Sequence, residues 1–235
     1  MLHIYKMNGK ITVLSHIVQK YHWDCGIACI RMILSVHKRF DESVIYGVLN
    51  DLDIFESTWT IDLVHILHHF GIDCEYYTVT CGVDPNYKNE TYYKCNFSKD
   101  EHRVSKLFDK ASDMGWCIIK RSLSIEEILF KLNDGYVAIT LVNSLLLNCK
   151  WCTQKYLQLS TCVPRNDAHT IFNVNDLVAP YEGHYIIVCG HDVCSGSIFY
   201  KNPSLYETEC CIDKSIFDEA RKSYGTDEDI VFIKL

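Results

Sequence analysis

The sequence predicts an α+β fold in which N-terminal helices pack on an antiparallel sheet. Three observations lead there. Apolar residues at helical spacing dominate the early part of the chain, short alternating or continuous apolar runs dominate the later part, and the two are not interleaved as a doubly wound sheet requires. A chain of 235 residues with 48% apolar and 23% charged side chains, 11 glycines and 4 prolines suits a compact protein and excludes a disordered tail or collagen-like fibre. No repeat and no Gly/Ser- or Pro-rich linker divides it, so residues 1–235 read as a single domain with a cysteine-rich loop insertion at about 144–181.

After a polar, strand-like N-terminus, Ile27, Ile30, Ile33 and Leu34 fall near helical spacing and predict a core-packed helix over Cys25 to Val36. Helical patterns follow from Glu42 to Asn50 and from Thr60 to Phe70, the second stopped by Gly71 with histidines in its last turn. Ile72 to Thr80 alternates like a strand, and Cys81 to Asp100 reads as loop. Lys99 to Asp113 is helical and Trp116 to Lys120 a short strand. Ser124 and Glu127 form a capping box that opens a helix ending near Gly135. Val137 to Val142, a continuous apolar run, predicts a strand buried on both faces. Between Asn143 and Tyr181 the pattern dissolves. Strands then follow at His184 to Cys189, Ser197 to Lys201 and Ile230 to Lys234, with a helix near Lys214 to Ser223.

The formal charge of -7, from 23 basic and 30 acidic residues, gives no electrostatic surplus for nucleic acid backbones. No stretch approaches the roughly 18 apolar residues of a membrane-spanning helix, so neither nucleic acid nor membrane is an expected partner. Thirteen cysteines, an odd number in a chain without a cationic and apolar leader, fit reduced thiols in the cytoplasm or nucleus better than a disulfide ladder.

The chemistry concentrates in four residues far apart in sequence. Gln19 stands six residues ahead of Cys25, which opens the first helix within Trp23-Asp24-Cys25-Gly26. Downstream come His184, at the start of a strand, and Asn202, before Pro203. A cysteine at a helix N-terminus meets the positive end of the helix dipole, which favours thiolate. A histidine on a facing strand can pair with that thiolate and later protonate a leaving group, while an amide oxygen fixes its tautomer. Gln19 and the Cys25 N–H can hold an oxyanion, at about 3 kcal/mol per donor. Taken singly, each has an ordinary explanation: a small core thiol, a strand-edge histidine, a turn asparagine. Their order and context favour the catalytic reading, with Cys25 as nucleophile, His184 as base, Asn202 as its orienter and Gln19 at the oxyanion.

At Gln19, Cys25-Gly26, Cys29, His184 and Asn202-Pro203 the chain resembles the papain-like peptidase domains that process double-glycine leader peptides. That resemblance implies a papain-like cysteine peptidase fold with Cys25, His184, a third polar residue and Gln19 as its site; those peptidases usually place Asp where this chain has Asn202. Across nearly the whole chain, His22-Trp23-Asp24-Cys25-Gly26, Trp59-Thr60-Ile61-Asp62-Leu63, His68-His69-Phe70-Gly71, Gly183-His184-Tyr185 and Ser223 to Asp229 resemble the eukaryotic guanylyl cyclase domain-containing proteins. That name implies conversion of GTP to cyclic GMP. Such chemistry needs two carboxylates on two divalent metals and basic residues around a triphosphate. No such constellation and no phosphate-binding Gly-rich loop is visible. Asp227-Glu228-Asp229 reads as a solvated turn, and Lys120-Arg121 as a solvated face.

Cys149-Lys150-Trp151-Cys152, followed by Cys162 and His169, has the first half of a zinc knuckle without a matching second half. The preferred reading is no metal, with Cys149, Cys152, Cys162 and His169 as zinc candidates. Cys210-Cys211 and the histidines at 65, 68 and 69 read as structural. The expected function is therefore a cofactor-free cysteine hydrolase acting on a peptide or acyl-type substrate at an amide, isopeptide or thioester. The alternatives are a guanylyl cyclase, and a non-catalytic protein-binding module on the same fold.

Overall fold

The computed structural model describes residues 14–37, 41–52, 54, 57–89, 97–152 and 181–235. The expected N-terminal strand, and Cys162 and His169, lie outside them. The described helices are α1 (Cys25–Val36), α2 (Glu42–Asp51), α3 (Thr60–His69), α4 (Phe97–Asp113), α5 (Ile125–Asn133) and α6 (Lys214–Arg221). The strands are β1 (Cys74–Thr78), β2 (Cys117–Lys120), β3 (Tyr136–Asn143), β4 (Gly183–Asp192), β5 (Ser197–Lys201), β6 (Cys210–Asp213) and β7 (Ile230–Lys234). They form one sheet in the order β2-β1-β7-β3-β4-β5-β6, an α+β arrangement as expected.

The sheet is not wholly antiparallel, contrary to expectation: β1 and β2 run parallel, with Glu75 opposite Cys117. The long connection carrying α4 between them supplies the crossover that parallel pairing requires. All other pairings are antiparallel, including β3 to β4, where Val142 faces His184.

Alternation along β3 and β4 explains how the sheet is covered. Val137, Ile139, Leu141, Tyr185 and Ile187 enter one core with α1 and α3, whereas Ala138, Val142, Ile186 and Val188 enter a second with Ile128 and Leu132 of α5 and Phe217 and Ala220 of α6. Both faces of the central strands are dry, which is why their sequences read as continuous apolar runs. The capping box of α5 forms as expected: the Ser124 N–H donates to Glu127 Oε2 at 2.8 Å, and the Glu127 N–H donates to Ser124 Oγ at 3.3 Å.

α1 is buried from Cys25 to Leu34 and lies on β4 and α3. Its second residue, a glycine, sits in a tight place: a Cβ at Gly26 would stand 3.0 Å from both Leu63 Cδ2 and Tyr185 Cδ2, so those side chains would have to give way. In an exposed helix Gly→Ala is a gain of about 1 kcal/mol. Here Gly26→Ala is expected to lower stability by about 1–3 kcal/mol through overpacking, as a fall in the denaturation midpoint at unchanged m-value; a rise would show that α1 can move off β4.

The turn at Asp227-Glu228-Asp229 also departs from expectation. Asp229 is not solvated but buried, accepting a hydrogen bond from the Tyr76 hydroxyl at 3.0 Å. Burial, then the neighbouring Asp227, pushes its carboxyl well above the usual carboxylate range. Asp227 and Glu228 have φ of 49° and 52°, the left-handed region, and Tyr87 Oη donates to Asp227 at 2.8 Å. This turn is folded inward because the tyrosine hydroxyls supply partners that water would otherwise provide.

No helix among the described residues is long and apolar enough to cross a membrane.

Candidate active site

The loop ahead of α1 is organised by one buried carboxylate. Asp24 occupies the N-cap position, yet its side chain makes no cap hydrogen bond. Instead it accepts from the N–H groups of Lys20 at 3.1 Å and Tyr21 at 2.8 Å and pairs with Arg31, 3.4 Å away and equally buried. Arg31 also reaches Glu42 and the Tyr46 hydroxyl on α2. With no side-chain cap on the first turn of α1, the N–H groups of Cys25 and Gly26 act on the Cys25 sulfur.

Cys25 Sγ accepts from the Tyr185 N–H at 3.5 Å, and one turn on, Cys29 Sγ donates to the Tyr185 carbonyl at 3.7 Å. The sulfur of Cys25 thus meets the peptide N–H that follows His184 in β4. Among the described residues the sulfur makes its hydrogen bond to that peptide rather than to the imidazole.

The thiol is not the acidic one expected from its place at a helix N-terminus. Burial pushes it up to about 11, against the opposing pull of the Tyr185, Gly26 and Cys25 N–H groups, and the charge of Asp24 adds to the rise. Desolvation of a thiolate in an almost closed site outweighs the helix terminus. Burial likewise lowers the His184 imidazole, and its bond to Asn202 only partly offsets this. The resting pair is therefore neutral thiol and neutral imidazole. Since the thiolate is the nucleophile, alkylation of Cys25 by iodoacetamide is expected to be slow near pH 6 and to accelerate towards pH 11. A rate already at its plateau below pH 7 would mean a preformed ion pair.

His184 is held by its partners. Its Nε2 lies 2.8 Å from Asn202 Oδ1, which also accepts from the Ser204 N–H at 3.0 Å. A backbone N–H can only donate, so the atom it meets is the amide oxygen, and Nε2 must carry the proton it shares with that oxygen. Nδ1 is left as the basic nitrogen, the tautomer a general base needs.

Gln19 joins this group through Ser204, whose hydroxyl donates to Gln19 Oε1 at 2.8 Å and lies 3.4 Å from His184 Nε2. The Gln19 amide donates to the Tyr21 carbonyl at 2.7 Å, and its backbone N–H to the Pro203 carbonyl at 2.9 Å. His184, Asn202 and Gln19 therefore form one cluster linked through Ser204, and Cys25 bonds to the N–H of Tyr185, the residue after His184. Ser204 and the Asp24–Arg31 pair were missed by sequence reasoning. The i, i+7 spacing of opposite charges across a helix start was the available signal for the pair, and Ser204 had none.

Of the other residues considered, His65 and His68 pack against Trp116, with ring centroids at 5.3 and 4.5 Å. Burial lowers the His65 imidazole to about 4. Arg121 lies 2.8 Å from Glu127 and over the Tyr77 ring. Cys149 and Cys152 are brought together, and Cys210 joins them.

These observations define a class: an α+β protein with a buried cysteine at a helix N-terminus that bonds to the peptide N–H following a strand histidine, the histidine being held by an asparagine just past the next strand. The sequence model of the family described as Guanylylate cyclase matches residues 14–233, and the chain belongs to that family. Guanylyl cyclase 1 of Arabidopsis thaliana is 34% identical over 224 residues, covering 94% of this chain and 75% of that protein. Among solved structures, one described as a C39-like peptidase from Bacillus anthracis is similar over 57% of each chain, with 14% identity and a TM-score of 0.32.

Proposed function

We propose that the chain is a papain-like cysteine hydrolase acting on an amide, isopeptide or thioester. The observation that carries this reading is the doubly bonded Asn202 Oδ1, which holds His184 in the tautomer whose Nδ1 can take a proton. In the proposed reaction the Cys25 proton passes to Nδ1 as the sulfur attacks the substrate carbonyl carbon. The oxyanion is met by the Cys25 N–H and the second N–H of the Gln19 amide. The imidazolium then protonates the departing amine or thiol, leaving an acyl thioester on Cys25. Water, giving its proton to His184, hydrolyses that thioester; the acid departs and the thiol is restored. Because the resting pair is neutral, proton transfer accompanies attack instead of preceding it. A reduced cytoplasmic or nuclear setting suits this chemistry, and all eleven cysteines among the described residues are free thiols.

A second reading, cyclisation of GTP, follows from the name of the Arabidopsis relative. It requires carboxylates converging on divalent metals. Among the described residues the one convergent group of three or more metal-binding side chains is made of cysteines. A binding module on the same scaffold is the remaining alternative. The deciding experiment assays purified protein on acyl thioester and peptide substrates, and in parallel on GTP with Mg²⁺ or Mn²⁺. Hydrolysis abolished by alkylating Cys25, with no cyclic GMP formed, supports the hydrolase. Metal-dependent cyclic GMP formation that survives alkylation refutes it.

A further inference from the structure

Cys149, Cys152 and Cys210 come from two places in the chain: the segment after β3, and the edge strand β6. All three are buried, and their sulfurs lie within 4.8 Å of one another. The separation is informative. Two sulfurs bound at about 2.3 Å to one tetrahedral Zn²⁺ lie about 3.8 Å apart, whereas a disulfide brings them to about 2.05 Å. Cys152 Sγ and Cys210 Sγ stand 3.8 Å apart.

The backbone is arranged for negative charge on sulfur. Cys149 Sγ accepts from the N–H groups of Cys152 and Cys211, both at 3.4 Å. These bonds come from both contributing segments and orient the sulfur in the way that outer contacts orient a ligand. Packing holds the segment after β3 against β5 and β6: Trp151 stacks on Phe199 of β5 with centroids 5.5 Å apart, and Lys150 Nζ reaches Ser197 Oγ on β5 at 3.1 Å and Asp213 on β6 at 3.4 Å.

We propose that Cys149, Cys152 and Cys210 form a structural site for Zn²⁺. Each thiol releases its proton to solvent as the ion binds, and no electron is transferred. The fourth tetrahedral corner goes to a donor outside the trio, water included. The ion ties β6, the edge strand of the sheet, to the chain that leaves β3. The same trio would take other thiophilic ions, but Zn²⁺ matches the spacing and needs no redox partner. The site lies in the core of the opposite sheet face from Cys25, so it stands or falls independently of the hydrolase.

Full-length protein, purified reduced and without chelator, is tested for zinc by elemental mass spectrometry. About one zinc per chain is expected, held by three or four thiolate or other donors. The content should fall to near zero in Cys149→Ser and Cys210→Ser, and stay unchanged in Cys25→Ala and in Cys194→Ser, which alters an exposed thiol. Because the first two variants lose core residues, Co²⁺ is also exchanged into the unaltered chain. Thiolate-to-cobalt charge transfer with tetrahedral d–d bands is expected. Reduced protein that takes up neither ion, zinc retained at full content in Cys210→Ser, or a Cys152–Cys210 disulfide found by peptide mapping would each overturn the proposal.

Discussion

Cys25→Ala is expected to cut hydrolysis of any substrate the protein turns over by about 10³-fold or more, with little loss of stability. The side chain is small and its hydrogen bond from the Tyr185 N–H is long at 3.5 Å. His184→Ala should be as damaging, and the double variant no worse than either single one, because nucleophile and base act as a unit. Asn202→Ala should cost less. The imidazole would keep its place at the start of β4 but lose the oxygen that holds the proton on Nε2. The signature to look for is a fall in kcat with KM nearly unchanged. Equal activity in Cys25→Ala and the unaltered chain would move the chemistry elsewhere.

Arg31→Met is expected to destabilise the protein by about 3–5 kcal/mol, the cost of leaving a buried carboxylate without its cation. Arg31 and Asp24 are both almost wholly buried, with side-chain exposures of 2% and 3%, so solvent does little to screen the pair. The guanidinium of Arg31 also bridges α1 to Glu42 and Tyr46 on α2. Converting Asp24 to Asn in the same chain should recover part of the loss, since the amide oxygen can still accept from Lys20 and Tyr21. Denaturant unfolding of the two single variants and the double one gives the coupling directly. Additive losses would mean that the two side chains act separately. Because Asp24 shapes the loop from Gln19 to Cys25, Arg31→Met should also lower activity in whatever fraction remains folded.

Much of the scaffold was legible because local patterns were strong. The continuous run Val137 to Val142 became β3, covered on both faces, and Ser124 with Glu127 capped α5. β6 escaped because it has only four residues, Cys210–Asp213, at the edge of the sheet, where alternation is too short to register. The parallel pairing of β1 with β2 depends on where a connection returns, which composition does not encode.

For the site, the residue types and their order were readable, and their electrostatics were not. The helix-terminus argument predicts an acidic Cys25, but burial, with the charge of the inward-folded Asp24 adding to it, raises the thiol instead. Burial is a tertiary property. The same holds for Asp229, whose acidic neighbours suggested solvent but whose partner Tyr76 lies 153 residues away. Cys210 could not be joined to Cys149 and Cys152 from spacing alone, since the sheet edge does the joining.

The most direct test of Cys25 and His184 as a working pair is covalent capture by a peptidyl thiol-reactive electrophile, read by intact mass and peptide mapping at neutral pH. The unaltered chain is expected to acquire one adduct, on Cys25, and His184→Ala to react far more slowly, because the neutral thiol needs Nδ1 to take its proton as the bond forms. Capture at other cysteines with Cys25 unmarked, or capture of Cys25 at the same rate without His184, would contradict the pairing.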